Sequence, residues 1–463
     1  MARAPAVAAN AANAADEGPA ARQLAAWLAV FNDGKRDELA AFRERVFLPE
    51  IRDRSDIDGV MQFRAGTGGF DVKRVEATTP TRITALLKER DSDQIVRATV
   101  EVEPAAPHRI LKLDLQTIAA PDGLGPERMT EGDALAALRA KLDEAVAADR
   151  FSGAIAIAKD GVVIFREARG LADRDAKVPN TVDTRFRIGS MNKMFTATAV
   201  LQLVQAGKLA LDQPIGKVLT DYPNRALASK VTIHHLLTHT GGTGDIFGPE
   251  FTAHRLELKT LGDYVKLYGK RDLAFEPGAR WDYSNYGFLL LGVIIERVTK
   301  QTYYDRLAKA VFAPAGMTAT ASPIERAGTK GRSVNYSRDP SAAWASAADT
   351  LPYRGTSAGG GDSTVLDLIQ FANALASHKL LDAKHGELLT TGKVDTPRGK
   401  YAYGFVDATE GGVRCVGHGG GAPGMNGELA ICDSGYTIAV LANLDPPAAS
   451  QLSDFIKARL PAK

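Results

Sequence analysis

The amino-acid sequence predicts an α+β protein made of two domains of unequal size. Its 463 residues are about three times the ~150 residues of an average domain. In the first quarter of the chain, helix-like patterns precede a block of strand-like patterns, an order typical of a small α+β unit. The longer remainder has strand-like patterns at both ends and a helix-rich middle. This arrangement predicts one antiparallel sheet that the two ends complete together.

The first predicted domain covers residues 20–119. Two helices come first, the earlier one from apolar residues at positions 0, 3, 4 and 7 between Leu24 and Phe31, and the later one over residues 36–46. Four strand-like runs separated by turn residues follow, at residues 69–75, 82–88, 95–102 and 110–117. In outline this order resembles the cone-shaped nuclear-transport-factor-like and ketosteroid-isomerase-like group, which implies an accessory α+β domain.

Two segments outside the domains have the composition of loops. Residues 1–19 are Ala-rich and are predicted to be a disordered terminus. They lack the apolar region of a complete signal peptide, although Ala6-Val7-Ala8 has the small-x-small form of a cleavage site. Two compartments therefore stay open, export to the periplasm or medium and the cytoplasm. Residues 120–129 are rich in Pro and Gly and are predicted to be a linker.

The second predicted domain covers residues 130–463. It starts with a helix over residues 134–147 and a hairpin whose turn contains Asp160-Gly161, a dipeptide favoured in short hairpins. An apolar helix is predicted over residues 194–205. The far end has two strands and a final helix, at residues 427–432, 437–443 and 448–460.

The composition excludes several functional classes. Lys plus Arg number 57 and Asp plus Glu number 55, and a net charge of +2 does not favour nucleic acid or an anionic membrane as a partner. No window has the 18 or so apolar residues of a membrane span. The two cysteines, Cys415 and Cys432, fall on predicted neighbouring strands, and both a disulfide and two buried thiols stay open. No metal-ligand spacing is present, so neither a metal nor a cofactor is predicted.

Ser190 and Lys193 form the strongest chemical signal in the chain. They are three residues apart at the start of the predicted helix, so both side chains share one helical face. A lysine amine has an ordinary pKa near ~10.4, and it becomes a useful base at neutral pH only where burial or nearby cations lower that value. The helix N-terminus favours a serine alkoxide and disfavours the ammonium ion.

Two later segments add polar groups of the same kind. Tyr283 and Asn285 are two residues apart in a loop framed by Gly and Pro, directly before an apolar helix. His418 stands among glycines that include Gly420 and Gly421, where the backbone can approach a ligand closely.

Together these motifs resemble a known family. Ser190-x-x-Lys193, Tyr283-x-Asn285 and the His418-x-Gly motif resemble, in that order, the three motifs of class C β-lactamases, DD-peptidases and family VIII carboxylesterases. Three flanking segments match the family as well, at residues 236–241, 314–317 and 358–364. The resemblance implies a β-lactamase-like or penicillin-binding-protein-like domain, with an antiparallel sheet flanked by helices and a helical subdomain.

The resemblance also implies a role for each motif residue. Ser190 would be the acylated nucleophile and Lys193 the base that takes its proton. Tyr283 would pass the proton to the leaving group. Asn285 would hydrogen-bond the lysine and the acyl chain. The backbone N–H groups of Ser190 and Gly421 would form the oxyanion hole, with Gly420 beside them.

His418 departs from the penicillin-recognising members, which carry Lys at this position. A neutral histidine offers one hydrogen-bond donor instead of a fixed positive charge, which favours uncharged substrates. The sequence therefore predicts a serine hydrolase, a carboxylesterase for small or short-chain esters, with a small-molecule ester or amide as its partner. Two alternatives remain: a DD-peptidase or weak β-lactamase, and a non-catalytic penicillin-binding-like or ligand-binding protein. The oligomeric state stays open.

Other residues suggest competing sites. Ser357 lies in a GxSxG pattern, but Pro352 interrupts the strand that a nucleophile elbow requires. His234, His235 and His239 lack the glutamate of an HExxH motif, so we interpret them as structural. Four aromatic residues are candidates for either the core or an acyl or alcohol pocket: Phe247, Trp281, Tyr286 and Tyr353.

Overall fold

The computed structural model of the chain describes residues 18–325, 331–338, 343–397 and 399–463. The predicted disordered terminus, residues 1–19, lies outside these residues except for its last two positions. The described chain forms two compact units, one ending at Glu127 and the other beginning at Arg128. No helix among the described residues combines the length and the apolar run that crossing a bilayer requires.

The first unit has helices followed by an antiparallel sheet. Its helices are α1 (Pro19–Asp33), α2 (Arg36–Val46), α3 (Pro49–Arg52) and α4 (Ile57–Thr67). Its strands are β1 (Phe70–Thr79), β2 (Arg82–Glu89), β3 (Ile95–Val102) and β4 (Ile110–Ile118). Each strand pairs antiparallel with the next, in the order β1-β2-β3-β4. The predicted order of two helices and four strands is therefore present in this unit.

Helix α1 fixes the core of the first unit. Pro19 occupies its first turn, and Gly34 ends it in the left-handed conformation with a φ of 74°. Trp27 and Phe31 are buried on the helix face that packs against the sheet, with their rings 4.9 Å apart. The predicted periodicity between Leu24 and Phe31 therefore marks the buried face.

The second unit is larger and contains one long sheet. Its helices are α5 (Glu131–Ala147), α6 (Asn192–Gln205), α7 (Arg225–Lys230), α8 (Ile233–Leu237), α9 (Pro249–His254), α10 (Leu261–Tyr268), α11 (Asn285–Thr299), α12 (Tyr303–Leu307), α13 (Ala313–Ala315), α14 (Val365–Ala376), α15 (Ala383–Thr390) and α16 (Ser450–Lys457). Shorter turns lie at Gly189–Met191, Ile215–Lys217, Ala308–Phe312 and Ala348–Thr350. Its strands are β5 (Gly153–Lys159), β6 (Val162–Arg169), β7 (Leu171–Asp173), β8 (Val178–Pro179), β9 (Phe186–Arg187), β10 (Tyr336–Arg338), β11 (Trp344–Ser346), β12 (Asp362–Ser363), β13 (Val394–Thr396), β14 (Gly399–Tyr401), β15 (Val406–Glu410), β16 (Val413–Ala422), β17 (Met425–Cys432) and β18 (Tyr436–Ala442).

The two ends of this unit complete the same sheet, as the sequence predicts. Over the described residues the sheet has eight strands, in the order β13-β14-β15-β16-β17-β18-β5-β6. Strand β18 pairs antiparallel with β5, which comes from the other end of the unit. The turn between β5 and β6 has positive φ at both Asp160 and Gly161, which is the geometry that an Asp-Gly hairpin turn requires.

Helices cover both faces of the sheet. In β5, Ala154 and Ala156 belong to the larger core cluster, which also contains α6, α11 and α14. Ile155 and Ile157 point the other way, into a second cluster with α5 and α16. Because successive side chains of a strand alternate between the faces, a continuous apolar run such as β5 predicts burial on both sides.

Cys415 and Cys432 form a disulfide between β16 and β17. The two residues are directly opposite each other in the antiparallel register. Of the two alternatives that the sequence leaves open, the structure has the disulfide.

Candidate active site

Ser190 lies in a tight turn that leads into α6. The turn, Gly189–Met191, packs against β16, and Ser190 is partly exposed. A Cβ on Gly420 would lie 2.1 Å from the Ile188 carbonyl oxygen, so only glycine lets β16 approach the turn this closely. Gly189 has a φ of 52°, which is also a glycine conformation.

Lys193 is completely buried one turn further along the chain. Its Nζ donates to Asn285 Oδ1 at 2.7 Å and to the Ala358 carbonyl oxygen, and it lies 3.2 Å from Ser190 Oγ, within hydrogen-bond reach of the hydroxyl. Burial lowers the pKa of the amine to about 7, although the negative charge of Asp245 acts in the opposite direction. At neutral pH a large fraction of this lysine is therefore an unprotonated base.

Tyr283 completes the group around the serine hydroxyl. Its phenol lies close enough to the Ser190 hydroxyl for that group to lower the phenol pKa, and Lys193 Nζ lies 4.6 Å from the centre of the Tyr283 ring. Burial raises the phenol pKa well above its ordinary value, and the Ser190 hydroxyl offsets only part of that rise. The phenol is therefore protonated at neutral pH.

Asn285 is the first residue of α11. The Ser284 side chain caps this helix by accepting from the Gly287 N–H. The Asn285 amide lies between two charged groups, because its oxygen accepts from Lys193 and its nitrogen donates to Asp245 Oδ2 at 3.2 Å. The structure thus brings Ser190, Lys193, Tyr283 and Asn285 into one cluster, and adds Asp245.

Asp245 is a residue of this cluster that the sequence did not predict. Its carboxylate comes from a loop 40 residues before Asn285, and its neighbourhood depends on how that loop packs against α11. A carboxylate beside a helix N-terminus is favourable, since the first N–H groups of a helix lack intrahelical partners. No local pattern in residues 241–248 points to this contact.

A second segment packs on the other side of the serine turn. The Ile188 N–H donates to the Gly361 carbonyl oxygen at 3.1 Å, and the Gly360 N–H donates to the Gly189 oxygen at 3.2 Å. On the strand side, Gly421 N lies 3.4 Å from the position that a Cβ of Gly189 would occupy. The backbone of Gly421 is therefore next to the turn that carries Ser190.

Buried ion pairs hold the chain that enters this turn. Arg187 is three residues before Ser190 and pairs with Glu325 at 2.9 Å. Arg332 pairs with Asp362 at 2.8 Å, and all four side chains of the two pairs are less than 10% exposed. Burial raises the pKa of Asp362 to about 6 in spite of the neighbouring arginines. Glu325 also pairs with Arg332, so the four side chains form one buried network next to the strand that leads into the turn.

His418 is neutral, and both of its ring nitrogens are used within the protein. Because a carbonyl oxygen only accepts, Nδ1 carries the proton and donates to the Gly419 oxygen at 2.6 Å. Nε2 then accepts from the Tyr401 hydroxyl at 3.0 Å. Burial, followed by the charge of Lys193, lowers the imidazole pKa to about 4. The sequence predicts a hydrogen-bond donor for a ligand at this position, whereas in the structure that donor binds the Gly419 oxygen.

The other histidines have structural contacts. His239 is buried, and its Nδ1 accepts from the Ser284 N–H at 3.1 Å while its ring lies 4.3 Å from that of Tyr283. His235 forms the capping box of α8 with Thr232, and His234 contacts the Tyr403 hydroxyl at 2.8 Å. Within the described part of the chain, no three His, Cys, Asp or Glu side chains come together as a metal site.

The competing residues lie in different surroundings. Ser357 is fully buried and is not part of the Ser190 cluster. Tyr286 is a core residue whose hydroxyl hydrogen-bonds that of Tyr222 at 3.0 Å. Phe247 is 64% exposed, and Trp281 and Tyr353 are half-buried, so these three remain surface or rim aromatics.

Known proteins resemble the second unit. A family model described as Beta-lactamase matches residues 138–463. Esterase EstB from Burkholderia gladioli is 38% identical over 196 residues, which cover 39% of this chain and 50% of the esterase. The match thus spans about half the length of that curated relative.

Two solved structures share the fold over most of their own length. The penicillin-binding protein of Bacillus halodurans is 31% identical with a TM-score of 0.63, covering 68% of this chain and 99% of that one. A D-stereospecific amidohydrolase from Streptomyces sp. is 32% identical with a TM-score of 0.60, covering 70% of this chain and 98% of that one. These matches confirm the predicted fold of the second domain. Because the family model covers well over half of its residues, the chain belongs to the beta-lactamase family of serine hydrolases.

Proposed function

We propose that the chain is a carboxylesterase that acts on small or short-chain esters through an acyl-enzyme on Ser190. The observation that carries this proposal is the contact between the Ser190 hydroxyl and a buried lysine whose pKa is lowered to about 7. A serine hydroxyl becomes a nucleophile where an adjacent base can take its proton, and Lys193 is such a base.

Acylation follows from these contacts. Neutral Lys193 accepts the proton of Ser190 as Oγ attacks the ester carbonyl carbon, which gives a tetrahedral oxyanion. When the intermediate collapses, the bond to the alcohol oxygen breaks and Tyr283 passes a proton to that oxygen. Tyr283 suits this transfer because its raised pKa keeps the phenol protonated, and the ammonium of Lys193 can return a proton to it.

The oxyanion is stabilised by backbone N–H groups. We assign this role to Ser190 and Gly421, whose backbones adjoin each other across the Gly189 turn. One such donor contributes about 3 kcal/mol to transition-state stabilisation. Gly420 allows β16 to reach the turn, so a side chain at this position would push the strand and its Gly421 N–H away from Ser190.

Deacylation uses the same groups in reverse order. A water molecule attacks the acyl carbon as the Tyr283 phenol takes the water proton and passes its own proton to neutral Lys193, and the acyl–oxygen bond to Ser190 then breaks. The proton then returns to Ser190 Oγ, so one ester and one water give one acid and one alcohol. Asn285 keeps the lysine in place through both steps.

A neutral substrate fits the charges of the site. His418 is held neutral and offers no positive charge to a substrate carboxylate, unlike the lysine of penicillin-recognising relatives. The similarity to an esterase favours the same class. Amide hydrolysis is the second candidate, because the amidohydrolase matches 70% of the chain.

The proposed catalytic residues all lie within residues 130–463. We therefore propose that residues 20–119 form an accessory domain and that residues 120–129 link the two.

The test compares three substrate classes with the intact chain. We expect p-nitrophenyl acetate and butyrate to be hydrolysed faster than nitrocefin or a D-alanine p-nitroanilide. Ser190→Ala should lower ester hydrolysis by at least about 10³-fold, as loss of a nucleophile does. Ser357→Ala is the matched control and should keep wild-type activity. Esterase activity that survives Ser190→Ala would refute the mechanism, and turnover of nitrocefin or the anilide alone would refute the substrate class.

A further inference from the structure

The carboxylate of Asp245 holds the side chain that contacts Lys193. Asp245 Oδ1 accepts from the Asn285 backbone N–H at 2.9 Å, and Oδ2 accepts from Asn285 Nδ2 at 3.2 Å. An amide whose nitrogen is bound in this way turns its oxygen to the opposite side. That oxygen accepts from Lys193 Nζ at 2.7 Å. The three side chains thus form a continuous chain from carboxylate to amide to amine.

Asp245 is itself fixed in place. The Ile246 N–H donates to Asp245 Oδ1 at 2.8 Å, and Arg271 Nη1 donates to the Asp245 carbonyl oxygen at 2.8 Å. The Ser284 hydroxyl donates to the preceding carbonyl oxygen, that of Gly244. The loop is therefore tied to the same helix N-terminus that carries Asn285, so the carboxylate is oriented before a substrate arrives.

The charge of Asp245 also acts on the lysine. Its negative charge opposes the effect of burial on the pKa of Lys193. The other titratable or charged groups around Lys193 and Asp245 are Tyr283, Tyr268, His239, His418 and Arg271. Burial favours the neutral form of these tyrosines and histidines, and Arg271 pairs with Glu250. The carboxylate of Asp245 is thus the anionic counterpart of the Lys193 ammonium.

We propose that Asp245 is a positioning residue for the reaction at Ser190, and this inference rests on the function proposed above. Its carboxylate holds Asn285 so that the amide oxygen faces Lys193, and the amine thereby stays within reach of Ser190 Oγ. Asp245 acts through Asn285 and not on the reacting atoms.

The test measures how fast a fluorophosphonate modifies Ser190, because that reaction needs an activated serine but no particular ester. The bond between Ser190 Oγ and phosphorus forms as the P–F bond breaks, Lys193 takes the serine proton, and fluoride leaves. The rate is measured by intact mass between pH 5.5 and 9.5. The variants are Asp245→Asn, Asp245→Glu and Asp282→Asn, with Ser190→Ala as the zero point.

We expect Asp245→Asn to slow modification by about tenfold at high pH, because the amine loses its fixed position. The acid limb of its pH–rate profile, where the rate falls as Lys193 becomes protonated, should also move to lower pH. The reason is that losing the negative charge of Asp245 lowers the pKa of Lys193. Asp245→Glu should restore most of the rate. Asp282→Asn is the matched control, because its exposed carboxylate faces Arg280 instead, and it should behave as wild type.

Each other outcome decides the question. An Asp245→Asn protein with wild-type rate and acid limb overturns the proposal. A slow variant whose acid limb is unmoved, or whose rate Asp245→Glu does not restore, also overturns it, because a purely structural defect behaves in this way. Wild-type protein that is modified at Ser190 but hydrolyses no ester refutes the esterase proposal while the Asp245 comparison stands. Wild-type protein that is not modified refutes both.

Discussion

Replacing Lys193 by Met tests by how much the buried amine lowers the free energy of unfolding. The side chain is fully buried, and burial lowers its pKa from 10.5 to about 7. Between these two values the unfolded chain holds one proton more than the folded chain, so the free energy of unfolding rises with pH. The destabilisation by Lys193 has its full size at pH values below the pKa of the lysine in the folded chain. It disappears as the pH approaches the pKa of the lysine in the unfolded chain.

The size of the penalty follows from the two pKa values. A fall in pKa from 10.5 to about 7 corresponds to a maximum of about 5 kcal/mol. The same two pKa values leave about 4 kcal/mol at pH 7 and about 2 kcal/mol at pH 9. Lys193→Met removes the charge with an unbranched side chain of similar length, but it also leaves the Asn285 and Ala358 oxygens without their donor. That loss does not change with pH, so only the pH-dependent part of the stability difference should follow these amounts.

The assay is urea unfolding of the wild type, Lys193→Met and Lys208→Met at pH 7, 8 and 9. Lys208 is exposed just beyond the end of α6, so its replacement also exchanges a lysine for methionine but relieves no burial penalty. The stability of Lys193→Met relative to the wild type should fall by about 2 kcal/mol from pH 7 to pH 9, and that of Lys208→Met should not change with pH. A stability difference between Lys193→Met and the wild type that does not change with pH refutes the reasoning.

Three further predictions concern single contacts. Tyr283→Phe should keep the fold and lower kcat for p-nitrophenyl acetate by about 10²-fold, as loss of a general acid does; an unchanged kcat would mean that another group protonates the alcohol. Reducing the bond between Cys415 and Cys432, which are 17 residues apart, should lower the free energy of unfolding by about 3 kcal/mol, seen as a lower urea midpoint in dithiothreitol. The double Cys→Ser variant should show no response to the reductant. Phe195→Ala should cost about 3–5 kcal/mol by chemical denaturation, because the side chain is fully buried between two aromatic rings; a cost below about 1 kcal/mol would mean that the core closes around it.

Much of the fold follows from local sequence patterns because those patterns coincide with what the tertiary structure buries. The Asp160-Gly161 turn needs positive φ at both positions, and β5 is apolar on both faces because it is covered on both faces. Helix α4 (Ile57–Thr67) was missed because it contains two glycines, and of its residues only Thr67 is fully buried. Its boundaries did carry signals, since Asp56 caps its start and Gly68 ends it with a φ of 69°.

The site, like the fold, contains some contacts that the sequence predicts and others that it does not. Ser190 and Lys193 are adjacent because helical spacing brings them together, and the three-residue distance in the sequence is sufficient to predict it. Asp245 and Tyr401 were missed because each acts through another side chain, Asn285 in one case and His418 in the other. Such contacts depend on how distant loops and strands pack, and no sequence pattern near Asp245 or Tyr401 indicates them.

One physical cause sets the protonation of both groups beside the serine. Burial disfavours charge, so it lowers the pKa of the Lys193 amine and raises that of the Tyr283 phenol, which leaves one group ready to accept a proton and the other ready to give one. The negative charge of Asp245 raises both pKa values, so it limits the loss of basicity in the amine while it keeps the phenol protonated. The same burial costs about 4 kcal/mol at pH 7, a large share of the 5–15 kcal/mol that stabilises a typical domain. A lysine of this kind therefore requires a large apolar core around it. Helix α6 meets that requirement because its residues are buried almost throughout, in the largest apolar cluster of the described chain.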